Sequence, residues 1–323
     1  MNNVSGKKVY ITGGNGFLGR HLQKRFGEAG AEVLSLPSSK CDLSNRESVD
    51  RLFSGVKPDI VVHAAGLLGG IHFSRLYPAD VFLKNLQIVC NIFEMAHKYN
   101  VQKLVNIGSA CVYSDTLPGP FKEEDLLKAP MHPSVQYYGF SKLALLMGGK
   151  SFKEQFDFNS IHLVLANLYG PEDKFDPELS HVVSSMIPRF YEAALKNLPE
   201  VVCWGTGKTV REFLYVADCA DAVFRATESY NDVEPINVGV GHGITMKELA
   251  ETIAEVSGFK GKIVWDTTKP DGAGYKVTDI SKIRQAMGWE PKTPFKEGLK
   301  KTIDWFGGYY PEWVQKQKTK KEN

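Results

Sequence analysis

The sequence lacks the features that mark membrane-spanning, disulfide-rich and nucleic-acid-binding proteins. Its longest apolar runs, such as residues 60–68, are roughly half the length of a membrane-spanning helix. The five cysteines are odd in number and form no Cys-x-x-Cys pair, which disfavours both disulfide bonds and a metal site. The 39 Lys and Arg residues nearly balance 37 Asp and Glu residues, and a net charge of +2 attracts neither nucleic acid nor an anionic membrane. The N-terminal segment has no apolar signal region, so we expect a cytoplasmic protein.

What is present is the composition of an ordinary globular protein of about two domains. The chain has 323 residues, of which 43% are hydrophobic and 24% are charged. In the first half, short apolar runs alternate with segments that have helical spacing. The apolar runs are residues 8–12, 32–36, 59–63, 103–107 and 160–165, and the helical segments are residues 19–29, 44–53, 81–99 and 139–156. This alternation predicts an α/β fold with a doubly wound parallel Rossmann sheet, covered by helices on both faces.

The pattern changes after Tyr169, where an acidic, proline-containing loop is followed by turns, short strands and further helices. We therefore predict a smaller α+β substrate-binding domain beside the Rossmann domain. The Rossmann domain would comprise residues 1–170, with about 213–240 returning to it, and the smaller domain residues 171–212 and 241–312. Residues 313–323 are so polar that we expect a solvated tail there.

A glycine-rich segment between the first strand and the first helix has the spacing of a dinucleotide-binding loop. Gly14, Gly16 and Gly19 match the fingerprint Gly-x-Gly-x-x-Gly, and Gly13 adds a fourth glycine. Glycine is needed here for a tight turn, for close approach of the backbone to a pyrophosphate and for close packing of helix on strand. The N-terminus of the helix then offers unpaired N–H groups to the phosphates. The loop residues that we predict to bind the cofactor are Gly13, Gly14, Gly16, Phe17, Leu18 and Gly19.

The end of the second strand predicts which dinucleotide binds. Folds that prefer NAD place an acidic residue there, where it binds the ribose 2′-hydroxyl. Residues 36–40 contain no acid, whereas basic residues and two serines are available nearby. This favours the 2′-phosphate of NADP, and the alternative is that the two positive charges are merely solvated. The predicted site for NADP(H) therefore also includes Arg20, Ser38, Ser39, Lys40, Asp42 and Leu43.

Tyr138 and Lys142 are four residues apart, which places them on one face of a helix. A nearby ammonium group lowers the pKa of a phenol, so a tyrosine in such a pair can act as an acid near neutral pH. The spacing alone is common, and the alternative is a pair of surface residues. Ser109 strengthens the catalytic interpretation, because it follows the fourth strand and ligands of open parallel sheets bind at the carboxyl ends of strands. We expect Ser109 to donate a hydrogen bond to a substrate carbonyl.

Several further segments resemble the extended short-chain dehydrogenase/reductases and, more narrowly, the GDP-fucose synthase family of epimerase/reductases. The segments are residues 64–71 (AAGLLGGI), 108–113 (GSACVY), 167–171 (NLYGP), 175–182 (FDPELSHV), 210–214 (VREFL) and 266–272 (DTTKPDG). The glycine fingerprint and Tyr-x-x-x-Lys are shared by the whole superfamily, whereas the Ser-x-Cys and Ser-His-Val segments are much narrower. The resemblance implies an NADPH-dependent conversion of GDP-4-keto-6-deoxy-D-mannose to GDP-L-fucose.

In that family a Ser, a Tyr and a Lys serve the reduction, and a Cys and a His serve the epimerisations. The resemblance assigns these roles to Ser109, Tyr138 and Lys142, and to Cys111 and His181. The protons at C-3 and C-5 flank the C-4 ketone, so removing either gives an enolate that hydrogen bonds to the carbonyl oxygen also stabilise. A thiolate is a competent base, and a histidine can return the proton. On spacing alone, the better interpretation of Cys111 is a small core residue, so its catalytic role comes from the resemblance.

The resemblance also implies contacts between the smaller domain and a GDP-sugar. Arginine suits a diphosphate because its guanidinium binds two oxygens at once. Trp204 can stack on a base, and its alternative role is a packed core aromatic. The predicted substrate-binding residues are Asn167, Arg189, Trp204, Arg211 and Asp271.

Some positions depart from the commoner family pattern and leave the substrate open. Ala110 replaces a small hydroxyl residue, Tyr275 stands where many members carry Arg, and residues 132–137 differ from the usual Asn-rich segment. A sister activity therefore remains an alternative: reduction at C-4 of a related GDP-4-keto hexose or heptose, with or without epimerisation. A non-catalytic NADP-binding scaffold on the same fold is the second alternative.

The helix that follows Tyr138 indicates a homodimer. Residues 143–147 (LALLM) are more apolar than one buried helix face needs. In the superfamily that the chain resembles, this helix and the one near residues 81–99 commonly form a two-fold interface. We therefore expect an isologous homodimer.

Overall fold

The computed structural model describes residues 3–68, 73, 76–176, 180–269, 271–272 and 274–322. Parts of the segments that carry the family resemblance, at residues 69–71, 177–179 and 270, lie outside the described residues. The strands are β1 (Lys8–Thr12), β2 (Glu32–Leu34), β3 (Ile60–His63), β4 (Lys103–Ile107), β5 (Ser160–Leu165), β6 (Asn167–Tyr169), β7 (Glu200–Trp204), β8 (Val210–Arg211), β9 (Phe213–Tyr215), β10 (Ile236–Val238), β11 (Ile244–Thr245), β12 (Lys262–Asp266) and β13 (Tyr275–Lys276). The helices are α1 (Phe17–Glu28), α2 (Arg46–Val56), α3 (Pro78–Lys98), α4 (Gln136–Phe156), α5 (Val182–Leu195), α6 (Val216–Ser229), α7 (Met246–Ser257), α8 (Ser281–Met287) and α9 (Phe295–Glu322).

Six parallel strands form the central sheet, in the order β10-β5-β4-β3-β1-β2. β3, β4 and β5 are buried throughout, because helices cover both faces of strands whose sequences are mostly apolar. β1 pairs with β2 on one side and with β3 on the other, so the strand order reverses at β1. Ligands of doubly wound folds bind at the carboxyl ends of the strands at such a reversal. The predicted doubly wound α/β fold is confirmed.

Helices lie on both faces of this sheet. α1 and α6 pack on one face, where Phe26 and Phe224 meet edge-to-face with ring centroids 5.4 Å apart. α2, α3 and α4 pack on the other face, around Phe53, Phe93 and Leu104. α4 also contacts β4 and the short 3-10 turn that follows it. In the described part of the chain, no helix is long and apolar enough to cross a membrane.

A second, aromatic-rich core lies in the part of the chain that follows β6. It is formed by α5, α7 and α9, together with the parallel pair of β7 and β12. Its buried residues include Phe175, Phe190, Phe259 and Phe306. Short strand pairs lie beside it: β8 pairs with β11 and β13, and β6 pairs with β9. This mixture of helices and short strands forms the smaller α+β region, and the domain limits given above stay a prediction.

One residue of the solvated tail expected at residues 313–323, Trp313, is buried instead. α9 runs through this segment, and Trp313 is buried in the second core. The Trp313 Nε1 donates a hydrogen bond to the carbonyl oxygen of Phe175. Trp313 extends an apolar stripe of α9 that includes Phe306 and Tyr310, at a spacing of three and four residues. Trp313 does not fit the expected tail because this apolar stripe continues past residue 312, whereas residues 315–319 are polar and mostly exposed.

Candidate active site

The glycine-rich loop leaves β1 at the point where the strand order reverses. Gly13 has a φ of +69°, and a Cβ atom on it would lie 3.0 Å from the backbone of Ala65. A Cβ on Gly14 would lie 2.1 Å from Ser35 Oγ. A Cβ on Gly19 would lie 2.1 Å from the carbonyl oxygen of Gly13. Only glycine fits these three positions, because a side chain at any of them would push the loop away from its neighbours.

The loop leads into the N-terminus of α1, where hydrogen-bond donors remain. Gly16 is the N-cap residue, and no side chain among the described residues caps the first turn. The N–H groups of Phe17 and Leu18 are therefore available to an anionic ligand. Ser35 Oγ, just after β2, is buried without a hydrogen-bond partner among the described residues. A glycine-rich loop, an uncapped helix N-terminus and a buried hydroxyl without a described partner fit the phosphates and ribose of a dinucleotide.

The residues predicted to contact the 2′-phosphate differ in what they bind. Ser38, Ser39 and Lys40 lie on an exposed turn after β2. Arg20 forms an ion pair with the Glu172 carboxylate at 2.6 Å and donates to the backbone oxygen of the same residue at 2.7 Å. Arg20 thus connects α1 to the loop after β6, and the Glu172 carboxylate partly balances its positive charge. The exposed turn therefore offers the more accessible donors for a phosphate.

Asp42 and Leu43 hold the chain between this turn and α2. The Asp42 carboxylate accepts hydrogen bonds from the N–H and the hydroxyl of Ser44, at 2.9 and 2.7 Å. The carbonyl oxygen of Leu43 accepts a hydrogen bond from Asn91 Nδ2 at 2.9 Å. Both residues fix the shape of the segment that follows this exposed turn.

Tyr138 and Lys142 lie on α4, beside the carboxyl ends of β3 and β4. Lys142 Nζ donates a 2.8 Å hydrogen bond to the carbonyl oxygen of Ile107 and lies 5.4 Å from the centroid of the Tyr138 ring. A Cβ on Gly66 would lie 3.9 Å from both Lys142 Nζ and Tyr138 Cε2, so the chain after β3 passes close to the pair. Ser109 follows β4 directly after Gly108. The pair and Ser109 therefore lie where a ligand of this fold binds.

The pKa values of the pair differ from the expectation drawn from spacing. Burial raises the pKa of the Tyr138 phenol, and the nearby Cys111 raises it further. Burial lowers the pKa of Lys142 to about 8. The expected lowering of the phenol pKa was wrong for this structure, because loss of solvent favours the neutral form of both groups. Tyr138 is therefore held as a neutral phenol, which is the form that can donate a proton.

Cys111 lies in the 3-10 turn after β4, between Ser109 and α4. The Ser109 hydroxyl accepts a hydrogen bond from the Cys111 N–H at 3.3 Å. A Cβ on Gly139 would lie 3.9 Å from Cys111 Sγ, so the thiol packs beside the residue that follows Tyr138. Burial raises the pKa of the thiol, and a hydrogen bond with Ser109 and the charges of two lysines oppose the rise. Four of the predicted catalytic residues therefore lie together: Ser109, Cys111, Tyr138 and Lys142.

His181, the fifth predicted catalytic residue, is the exposed N-cap residue of α5. The carboxyl group of Asp173 faces this histidine. Burial raises the pKa of Asp173, and hydrogen bonds from Lys174 and Ser184 and the charge of His181 lower it. A partly buried carboxyl beside a histidine can orient the imidazole. Sequence reasoning missed Asp173, because several acids occur in its loop and spacing singles out none of them.

Three of the five predicted nucleotide-sugar residues, Arg189, Trp204 and Asp271, lie around the end of β7. Trp204 is 69% exposed, which excludes the alternative role of a packed core aromatic. The Asp271 carboxylate accepts hydrogen bonds from the N–H and the hydroxyl of Thr206, at 2.9 and 2.7 Å, and so holds the turn after Trp204. Arg189 donates to the carbonyl oxygen of Val202 in the same strand. The Trp204 ring is therefore accessible for stacking on a base.

Arg211 and Asn167 lie near a buried carboxylate that sequence reasoning missed. Arg211 is half-buried and faces the carboxylates of Asp115 and Asp271. Asn167 Nδ2 donates to the backbone oxygen of Glu212 at 3.1 Å. The Glu212 side chain is buried and accepts hydrogen bonds from the N–H groups of Val240, Gly241 and Thr278 and from the Thr278 hydroxyl. Glu212 thereby joins the segment of Arg211 to the end of β10 in the central sheet.

Comparison with known families decides the assignment of the chain. The model of the NAD dependent epimerase/dehydratase family matches residues 9–239, which is more than half of the chain. The chain belongs to this family. The matched range includes the glycine-rich loop, the Ser109–Cys111 segment, the Tyr138–Lys142 pair and His181.

Individual known proteins are similar to this chain over nearly its whole length. A probable GDP-L-fucose synthase 1 of Oryza sativa subsp. japonica is 43% identical over 303 residues, which cover 93% of this chain and 92% of that protein. The crystal structure of a GDP-6-OMe-4-keto-L-xylo-heptose reductase from C. jejuni has a TM-score of 0.88 at 28% identity and covers 94% of this chain and 98% of its own. A GDP-L-fucose synthetase from Naegleria fowleri bound to NADP has a TM-score of 0.86 at 27% identity, with coverage of 95% and 96%.

Proposed function

We propose that the protein converts GDP-4-keto-6-deoxy-D-mannose to GDP-L-fucose by epimerisation at C-3 and C-5 and NADPH-dependent reduction of the C-4 ketone. The observation that carries the proposal is the position of the Cys111 thiol beside Ser109, Tyr138 and Lys142. With NADPH as the hydride donor, those three residues would serve the reduction, whereas a base beside the same ketone adds epimerisation. The relatives named GDP-L-fucose synthase and synthetase support the same reaction.

NADP(H) is the proposed cofactor, and when bound it supplies a hydride to C-4. The glycine-rich loop and the N-terminus of α1 would hold the pyrophosphate. Ser38, Ser39 and Lys40 would hold the 2′-phosphate. The NADP of the Naegleria fowleri relative supports this choice. A comparison of kcat/KM for NADPH and NADH tests it, and equal values would contradict it.

The oxygen of the C-4 ketone would take part in both the epimerisations and the reduction. Cys111 would remove the proton from a carbon next to C-4, and the negative charge would move onto the ketone oxygen, where Ser109 and Tyr138 stabilise the enolate. His181 would return a proton to that carbon on the opposite face. In the reduction, the same oxygen becomes an alkoxide and takes the proton of the neutral Tyr138 phenol. Lys142, which Ile107 holds in place, stabilises the tyrosinate that remains.

The protein is proposed to act as a cytoplasmic homodimer. Large apolar side chains of α3 and α4 are exposed, and the rings of Phe82 and Phe140 lie side by side with centroids 5.7 Å apart. Leu83 and Met147 are 56% and 52% exposed on the same two helices. An exposed apolar surface on adjacent helices is suited to an isologous contact. The five unpaired cysteines support a reducing compartment.

A second candidate is C-4 reduction of a related GDP-4-keto hexose or heptose, with or without epimerisation. The structural similarity to the heptose reductase of C. jejuni favours it, because that fold covers 94% of this chain at a TM-score of 0.88. Tyr275 also lies near the proposed substrate residues, packed against Gly119, where many members carry Arg.

Product analysis distinguishes the two candidates. The protein is incubated with GDP-4-keto-6-deoxy-D-mannose and NADPH in D₂O, and the products are identified by NMR. We expect GDP-L-fucose with deuterium at C-3 and C-5. Reduction at C-4 without deuterium at either carbon would favour the sister reductase, and consumption of no NADPH with any GDP-4-keto sugar would leave the scaffold alternative.

A further inference from the structure

Lys276 lies beside the catalytic turn, although it belongs to β13 of the smaller region. Its Nζ donates a hydrogen bond to the carbonyl oxygen of Tyr113, two residues after Cys111. The ammonium also lies 5.3 Å from the centroid of the Phe121 ring. The lysine is half-buried, so a backbone oxygen and a ring face replace part of its water. Its charge is therefore held next to the turn.

The backbone around Lys276 is attached on two sides. β13 pairs in parallel with β8, and Lys276 lies opposite Arg211 in that pairing. On the other side, the Phe121 N–H donates to the carbonyl oxygen of Val277 at 2.8 Å. Lys276 is therefore a fixed point between the proposed diphosphate-binding arginine and the turn that carries Cys111.

Groups from three elements surround the Cys111 thiol. Burial raises the pKa of the thiol, whereas the Ser109 hydrogen bond, Lys142 of α4 and Lys276 of β13 lower it. Tyr138 of α4 faces it as a neutral phenol. The Lys142 ammonium already has other partners, because it donates a hydrogen bond to the carbonyl oxygen of Ile107 at the end of β4 and lies near the Tyr138 ring. Lys276 is thus the second source of positive charge near the thiol.

Other charges also act on Lys276. Burial lowers its pKa, Asp115 and Cys111 raise it, and Arg211 lowers it. Asp115 and Arg211 therefore act on the pKa of the ammonium in opposite directions. A substrate diphosphate bound at Arg211 would add negative charge near Lys276 and help to keep it protonated.

We propose that Lys276 is a positioning residue for the epimerisation steps: it holds the turn that carries Cys111 and keeps a positive charge beside that turn, near the thiol that acts as the base. The role in epimerisation rests on the proposed function. The effect of Lys276 on the Cys111 thiol does not depend on that function, and it can be measured without substrate.

The test is the pH dependence of Cys111 alkylation by iodoacetamide. It is performed in a Cys90→Ser background, because Cys90 is the exposed cysteine and Cys41, Cys203 and Cys219 are buried. We expect Lys276→Met to move the midpoint upward by about one pH unit, so that alkylation near pH 7.5 slows about tenfold. Lys276→Arg keeps the charge and should remain within about threefold of the parent protein. Lys276→Gln gives a second neutral variant if Lys276→Met does not fold.

Lys282→Met is the matched control. Lys282 is also half-buried, donates to a backbone oxygen, that of Pro235 at 2.7 Å, and lies 5.9 Å from the centroid of the Tyr230 ring. Lys282→Met should leave the midpoint of the pH dependence of Cys111 alkylation unchanged. The proposal is overturned if the neutral Lys276 variants titrate like the parent protein, or if Lys276→Arg is as impaired as Lys276→Met.

Deuterium exchange links the thiol measurement to the reaction. In Lys276→Met, exchange at C-3 and C-5 should fall by about the same factor as alkylation, while reduction of the ketone falls less. If the wild type neither exchanges nor reduces the substrate and alkylation still depends on Lys276, the proposed function fails but the action of Lys276 on Cys111 stands. Equal loss of exchange and reduction with an unchanged alkylation midpoint would overturn the positioning role.

Discussion

The proton that completes the proposed reduction comes from Tyr138, and removing its hydroxyl tests that role. Burial keeps the phenol neutral, and its proton is needed only as charge develops on the C-4 oxygen. In Tyr138→Phe we expect kcat to fall by roughly 10²–10⁴-fold, with the Kd for NADPH within about twofold of the wild type. Steady-state kinetics and a fluorescence titration give the two values. Tyr137→Phe, at the exposed neighbouring position, is the control and should retain activity; near-normal turnover in Tyr138→Phe would remove Tyr138 from this role.

Replacing the Cys111 thiol with a hydroxyl should separate epimerisation from reduction. A serine hydroxyl is far too weak an acid to supply a base near neutral pH, whereas hydride transfer to C-4 needs no thiol. Cys111→Ser should therefore bind substrate and NADPH but not exchange the C-3 and C-5 protons with D₂O, and it should slowly reduce the unepimerised ketone. His181→Asn should keep some exchange but lose more of the inversion than of the exchange.

Deuterium incorporation by NMR, with and without NADPH, measures both effects. Cys90→Ser is the control, because this exposed cysteine lies on α3 and has no proposed role in the reaction. Wash-in of deuterium at the wild-type rate in Cys111→Ser would mean that another residue is the base.

Between elements, Lys103 of β4 joins the central sheet to the C-terminus of α6. The lysine is 1% exposed, and its Nζ lies within hydrogen-bonding distance of the carbonyl oxygens of Ala226, Thr227 and Tyr230. Lys103→Met would remove this donor from all three carbonyls. The Ala226 carbonyl would keep its hydrogen bond from the Tyr230 N–H, whereas the last carbonyls of a helix have no intrahelical partners of their own. We expect a loss of about 2–4 kcal/mol in the free energy of unfolding, measured by urea denaturation at constant m.

A surface lysine provides the comparison for Lys103. Lys150 forms an exposed ion pair with Glu234 at 2.8 Å. Lys150→Met should cost less than about 1 kcal/mol, because solvent screens such pairs. If Lys103→Met costs no more than Lys150→Met, the buried lysine does not stabilise the end of α6.

The elements that the sequence predicts correctly are those whose own pattern fixes their structure. β3, β4 and β5 are apolar runs between amphipathic helices, and the glycine-rich loop is bounded by a strand and a helix. β6 and β9 are three residues each, and they are strands only because they pair with each other across a long stretch of chain. Trp313 was misjudged for a similar reason, because its burial depends on Phe175 far away in the sequence.

In the candidate site too, local patterns could be predicted from the sequence, whereas contacts between distant segments could not. The pairing of Tyr138 with Lys142 could be predicted from their spacing. The role of Cys111 could be predicted because its segment resembles a segment found in a narrow family. Lys276 and Glu212 could not be found, because their partners at Tyr113 and at Thr278 come from distant segments. The raised pKa of Tyr138 also escaped prediction, because burial outweighs a neighbour that lies four residues away.

For the whole molecule, the candidate site depends on both parts of the chain. The central sheet and α4 supply Ser109, Cys111, Tyr138 and Lys142, whereas His181, Arg211 and Lys276 come from later segments. Glu212 and Lys276 connect these segments through buried or half-buried hydrogen bonds. We infer that the two parts must keep a fixed relation for the base, the proton donors and the nucleotide-binding residues to meet on one substrate.

The apolar surface of α3 and α4 leads to a prediction about assembly. Leu83 and Met147 are large, exposed and apolar, and covering them with a second copy removes them from water. The wild type should be a dimer by light scattering at micromolar concentration. In the double variant Leu83→Glu, Met147→Glu, four like charges would face each other across a two-fold contact, so we expect a monomer whose helical circular dichroism is unchanged. Leu195→Glu, at a 56% exposed position on α5, is the matched control and should remain dimeric. A monomeric wild type, or a double variant that stays dimeric, would show that this surface is not the interface.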